Sequence, residues 1–191
     1  MKAALFSFLL LVILLLGCSN ETPIQPEEPK EPVEPVDSTY EIIQIPPRAG
    51  GGPSFSATEI IDGSKGGYIK IKESYITVNG DTVKIDVKLK IKKDCFSGNV
   101  EITMTMDDVY TAVKFIPPMV FAKPVELDVK YKGLDPDQLN LSSGNYEFIY
   151  EDDEGNNETV PSYGVTVNAE LGEIFVKKAK LSHFSRYVFI R

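Results

Sequence analysis

An all-β fold, an antiparallel sandwich of two sheets, is what this 191-residue sequence predicts, and three observations predict it. Residues 82–92 alternate without a break: Val83, Ile85, Val87, Leu89 and Ile91 stand against Lys84, Asp86, Lys88, Lys90 and Lys92. That is the period of a strand with one wet face. Shorter runs with the same rhythm occur at 66–72, 100–106, 125–131, 146–150, 164–167, 173–177 and 187–190, and no stretch presents a helical face. Turn formers separate them, the clearest being Asn79-Gly80-Asp81, where Asn and Gly tolerate the positive φ of a tight hairpin. An antiparallel sheet keeps one face in water only by burying the other, so eight or nine such strands pair into a sandwich over residues 56–191. The length suits one core.

Composition narrows the chemistry. Lys plus Arg number 20 against 28 for Asp plus Glu, a formal charge of -8 that repels phosphate backbones, so no nucleic-acid partner is expected. One His and two Cys cannot build an ordinary zinc site or a disulfide framework, and neither a metal nor a cofactor is expected.

The strand region is preceded by an address. After Lys2, the residues from Leu5 to Leu16 are almost all apolar, the h-region of a secretory leader at residues 1–17. It falls short of the roughly 20 residues that cross a bilayer as a helix, so cleavage is expected rather than a permanent anchor. The run closes on Leu15-Leu16-Gly17-Cys18, which resembles the bacterial lipobox. That resemblance implies that Cys18 is acylated on sulfur, becomes the first residue of the mature lipoprotein and supplies the membrane-lipid contact. Several acyl chains, at about 0.8 kcal/mol per buried CH₂, hold where one is marginal. Ser19 rather than Asp follows, which by resemblance to sorting rules favours the outer membrane where one exists.

Residues 18–55 read as a linker without a core. Pro23, Pro26, Pro29, Pro32 and Pro35 recur every third residue among Glu21, Glu27, Glu28, Glu31 and Glu34, which suits a disordered or polyproline II stalk. Ala49-Gly50-Gly51-Gly52-Pro53 reads as the flexible joint that ends it.

Particular residues resemble a family. Val113-Lys114-Phe115-Ile116-Pro117-Pro118, then the stretch from Val120 through Lys123-Pro124-Val125 to Tyr131, is similar to the core of ZU-type domains. These are the immunoglobulin-like β-sandwiches of zonula occludens proteins, netrin receptors and ankyrins. Tyr146 to Tyr150, Leu171-Gly172-Glu173-Ile174-Phe175-Val176 and Leu181-Ser182-His183-Phe184-Ser185-Arg186-Tyr187 follow in the family's order, so the resemblance covers residues 60–191. The Trp that relatives carry after the acidic turn is missing, and the animal relatives' spectrin partner does not carry over. An interaction or structural module of the cell envelope is the implied role, with an envelope protein or polysaccharide as partner and no catalysis required.

One chemical lead comes with the family. Some ZU-type domains cleave their own chain within His-Phe-Ser, here between Phe184 and Ser185. The reaction needs the Ser185 hydroxyl beside the scissile carbonyl, the His183 imidazole to take its proton, and a strained peptide. The plainer reading makes His183 an edge residue and Phe184 a core residue. Other groups are weighed in the same way. The acidic run Glu151-Asp152-Asp153-Glu154-Gly155-Asn156-Asn157-Glu158 lacks calcium-hand spacing and reads as a solvated loop, and Asp107-Asp108 reads as a turn. Cys95 reads as a small buried hydrophobe. Lys84, Lys88, Lys90, Lys92 and Lys93, with Lys70 and Lys72, read as a stripe that discourages edge pairing. Tyr40, Tyr68, Tyr75, Tyr110 and Tyr163 are the exposed rings expected of a carbohydrate-binding alternative.

Overall fold

The computed structural model describes residues 40–136, 144–152 and 156–191. The leader, Cys18 and the linker up to residue 39 lie outside the described residues, as do Asp153, Glu154 and Gly155. Among the described residues, eleven strands make up nearly all the regular structure: β1 (Ser56–Asp62), β2 (Gly67–Ile76), β3 (Thr82–Ile91), β4 (Asn99–Met106), β5 (Ala112–Ile116), β6 (Val120–Lys132), β7 (Glu147–Glu151), β8 (Asn157–Thr159), β9 (Val165–Asn168), β10 (Glu173–His183) and β11 (Arg186–Ile190). A 3-10 turn, Ala169–Leu171, joins β9 to β10. The strands form two antiparallel sheets, one ordered β1-β4-β5-β11-β7-β8 and the other β2-β3-β6-β10-β9. The predicted sandwich is the observed one.

Alternation drives the packing. Val83, Ile85, Val87, Leu89 and Ile91 of β3 are all buried, and the lysines and Asp86 between them point outward. Each such side chain contributes about 1.5–3 kcal/mol by leaving water. The β2–β3 hairpin turns where Asn79-Gly80-Asp81 predicts: Gly80 has φ +88°, and the Thr77 amide donates to the Asp81 carbonyl at 2.8 Å.

Three strands escaped the periodicity, each for a physical reason. β1 and β8 are sheet edges with mostly exposed side chains, so neither carries an alternating apolar face. β5 is only five residues long. β10 is longer than its sequence run because a bulge shifts the register between Val176 and Ala179 and breaks the alternation. Lys178 takes φ +51° there, and its amide donates to Asp128 Oδ1 at 2.8 Å. Such bulges re-aim side chains without ending a strand.

The linker boundary needs correction, because residues 40–55 are part of the folded body, whose compact unit runs Thr39–Arg191. Glu41 and Arg191 exchange backbone hydrogen bonds at 3.0 Å in each direction, and the Ile43 amide donates to the Phe189 carbonyl. Ile43 and Ile45 thereby enter the core. After Pro46-Pro47 the chain crosses to the other sheet, where the Ala49 amide donates to the Ile76 carbonyl and Val78 donates back to Pro47. The segment therefore ties one sheet to the other. The glycine joint is a turn folded over Arg48, whose Nη1 donates to the Pro53 carbonyl at 3.0 Å and whose guanidinium lies 4.1 Å from the Phe55 ring centre.

Candidate functional site

Two places hold the functional candidates, a corner between the sheets and the outer face of the five-stranded sheet.

The corner is the link between β10 and β11, where the chain leaves one sheet for the other at Phe184-Ser185. Phe184 is 2% exposed and drives its ring between the sheets. It stacks on Phe115 of β5 at 4.6 Å and meets Phe121 of β6 edge-on at 4.7 Å. Its amide donates to the Met119 carbonyl at 2.7 Å, and the Ser185 carbonyl accepts from the Phe115 amide at 3.1 Å. The Tyr187 hydroxyl reaches back four residues and donates to the His183 carbonyl at 2.5 Å. Burial pushes that phenol well above the usual tyrosine range. The His183 ring packs edge-on against Tyr150 at 4.5 Å.

The three residues of the cleavage motif thus share a corner, but no hydrogen bond joins the His183 imidazole to the Ser185 hydroxyl, and neither Phe184 nor Ser185 adopts a left-handed backbone. The Phe184 ring and the main-chain hydrogen bonds of the corner join the two sheets.

The outer face of the five-stranded sheet is built by register. Lys70 and Lys72 of β2 lie opposite Lys88 and Asp86 of β3. Asp86, Lys88 and Lys90 lie in turn opposite Lys130, Asp128 and Glu126 of β6, and Lys84 lies opposite Lys132. On β10, Phe175 pairs with Lys130 and Lys180 with Glu126, and Lys177 follows on the bulge. Two open clefts of about 540 and 310 Å³ share Asp86 and Lys130 and together form one groove across β2, β3, β6 and β10.

Charge on this face is unevenly paired. Glu126 gathers Lys180, Lys92 at 2.8 Å and Lys90 at 4.0 Å. Hydrogen bonds from Lys180 and then Lys92 hold its carboxyl down at about 2. Lys130 pairs with Glu173 at 2.6 Å. Asp128 is taken by the bulge amide. Lys70, Lys72, Lys84, Lys88, Lys132 and Lys177 have no carboxylate within salt-bridge distance among the described residues. Two rings lie among the ammoniums: Phe175, with Lys177 at 5.2 Å and Lys130 at 5.5 Å, and half-exposed Tyr68, with Lys88 at 4.7 Å and Lys70 at 5.8 Å.

No family model, curated protein or solved structure matches this chain.

The remaining candidates separate. Tyr75, expected to be exposed, is a core residue, because in β2 it shares the inward parity of Ile69 and Ile71. Its hydroxyl donates to the Pro46 carbonyl at 2.8 Å, and burial pushes it up to about 12. Tyr40 donates to Glu151, while Tyr110 sits beside Arg186 on the other sheet. Tyr163 is exposed next to Lys178. The five tyrosines therefore form no common face.

Asp107 is a turn residue as expected, accepting from the Val109 and Tyr110 amides at 2.8 and 2.9 Å, and Asp108 accepts from Ser54. The Asp152 carboxylate of the acidic run accepts from the Asn156 amide and side chain, and the Asp152 amide donates back to the Asn156 carbonyl. Cys95 is buried and unpaired. Among the described residues no cluster of three or more His, Cys, Asp or Glu could hold a metal. Sequence reading missed the contribution of Lys130, Lys132, Lys177 and Phe175 to the β3 stripe. The signal was available for β6, where residues 126, 128, 130 and 132 share one parity, but the bulge hid it in β10.

Proposed function

We propose that this protein is an exported lipoprotein, anchored by lipid on Cys18, whose ZU-type sandwich is an interaction or structural module of the cell envelope. The observation that carries the proposal is the apolar run ending at Leu16-Gly17-Cys18, since a thiol beside a small residue is what lipid transfer and leader cleavage require. The ordered strings from Val113 to Tyr187 support the ZU-type reading of the sandwich. No catalytic step is required, because Phe184, Tyr187 and the corner carbonyls have structural work that accounts for them. The test is metabolic labelling with palmitate in a bacterial host, followed by intact mass. The wild-type chain is expected to carry label and lack residues 1–17, and Cys18→Ser is expected to lose the label. An unlabelled, water-soluble wild-type product would overturn the proposal. The same mass spectrum tests self-cleavage: a chain ending at Arg191, with no heptapeptide released on denaturation, removes that second reading.

A further inference from the structure

The geometry points to the outer face of the five-stranded sheet as a docking surface for an acidic polysaccharide, a chain of sugar rings bearing carboxylates. Ten of the lysines in the sequence, all those on β2, β3, β6 and β10 and at the β3 end that alternate with the core, converge on this face against Asp86, Glu126, Asp128 and Glu173, with Glu73 at the margin of the larger cleft. A chain with a net charge of -8 thus segregates a cationic surface, which the overall balance conceals. Preventing edge pairing needs lysines on an edge strand. It does not explain Lys84, Lys88 and Lys132, which sit on strands paired on both sides.

The kind of cation and the shape of the floor select the partner. The chain's three arginines, Arg48, Arg186 and Arg191, all lie off this face, so no planar fork is present to grip one phosphate or carboxylate in two places. Lysines repeat along a strand about every 6.6–6.8 Å, as point charges suited to a polymer with regularly spaced anions. The groove across four strands is floored by Phe175, whose ring stands between two ammoniums, and Tyr68 repeats that arrangement at the β2 edge. The apolar face of a sugar ring rests on such a ring while its carboxylate meets the lysine beside it. A headgroup layer would use the charge but not the recessed aromatic floor. The export reading proposed above decides for a glycan over single-stranded nucleic acid, which shares the demand for cations and rings.

The test uses the mature lipidated chain in neutral detergent with four probes: alginate as polyuronate, dextran as neutral glycan, an oligothymidylate, and mixed micelles carrying phosphatidylglycerol. Alginate is expected to bind, about tenfold or more weaker on going from 50 to 200 mM salt, with dextran unbound. Lys84→Gln/Lys88→Gln/Lys132→Gln is expected to weaken alginate binding about tenfold or more without change in melting temperature. Phe175→Ala is expected to weaken it several-fold, and Lys114→Gln on the other sheet to leave it unchanged. Absence of alginate binding, alginate binding that the triple substitution leaves intact, or tighter binding of the oligonucleotide or the anionic micelles overturns the assignment. A chain that binds alginate but carries no lipid on Cys18 sinks the export reading and leaves the surface standing; a lipidated chain that ignores alginate does the reverse.

Discussion

The corner at His183-Phe184-Ser185 and the lysine face of the five-stranded sheet are opposites. The corner holds the chain's only imidazole beside a hydroxyl, yet its aromatic ring and main-chain groups are engaged in joining two sheets. The face holds plain lysines, yet six of them have no carboxylate partner among the described residues. Reactive residue types drew attention to the corner, whereas unspent interactions are what mark a surface as available. Changes at the corner therefore cost stability, and changes at the six unpartnered lysines of the face cost charge alone.

The largest expected effect tests that statement directly. Phe184→Ala removes a ring stacked on Phe115 and abutting Phe121, leaving a cavity where the sheets meet. A loss of about 3–5 kcal/mol is expected in urea unfolding. Lys84→Gln/Lys88→Gln, by contrast, is expected to stay within about 0.5 kcal/mol of wild type. Equal effects from the two would erase the distinction between corner and face.

Next comes the segment that composition assigns to the stalk. Ile43→Ala empties a buried position in a stretch that pairs with β11 and then crosses to β2. A cost of about 2–3 kcal/mol is expected in the same unfolding measurement. A neutral result would return residues 40–55 to the linker.

A smaller effect is expected inside the corner itself. Tyr187→Phe deletes only the hydroxyl that bonds the His183 carbonyl, a loss of about 1 kcal/mol. If the same substitution released a heptapeptide on denaturation, the corner would be holding a poised cleavage site rather than a packed turn.

The sandwich was legible because its central strands, β3 above all, alternate so regularly that parity alone fixes which face is wet. The edges were not, since β1 and β8 bury little and leave no apolar rhythm. Residues 40–55 were misread because Pro46 and Pro47 look like stalk, whereas here proline serves a crossing between sheets, where few backbone donors are needed. Ile43 and Ile45, alternating with Ile42 and Gln44, carried the hint. At the candidate sites, sequence supplied the tripeptide and the β3 stripe. It could not supply the long-range register that sets Lys130 and Lys132 beside that stripe, or the bulge that presents Lys177.

Glu126 offers the finest probe of the face, because it is the carboxylate on which Lys90, Lys92 and Lys180 converge. Its proton is released at about 2 in the folded chain, against 4.5 ordinarily, so the ionised form is favoured by folding. A depressed carboxyl contributes stability that is present above its ordinary value and is lost as the solution is acidified from about 4.5 toward about 2. Glu126→Gln removes that contribution at neutral pH and flattens the acid limb, so wild type and variant should converge in melting temperature near pH 2 and separate above pH 4.5. The three ammoniums around Glu126 are exposed enough for salt to screen them, so the gap should shrink in 1 M salt. The same substitution removes a negative charge from the face and frees Lys90, Lys92 and Lys180, and is therefore expected to tighten alginate binding while it lowers stability, opposite signs that a purely structural role for the lysines would not produce.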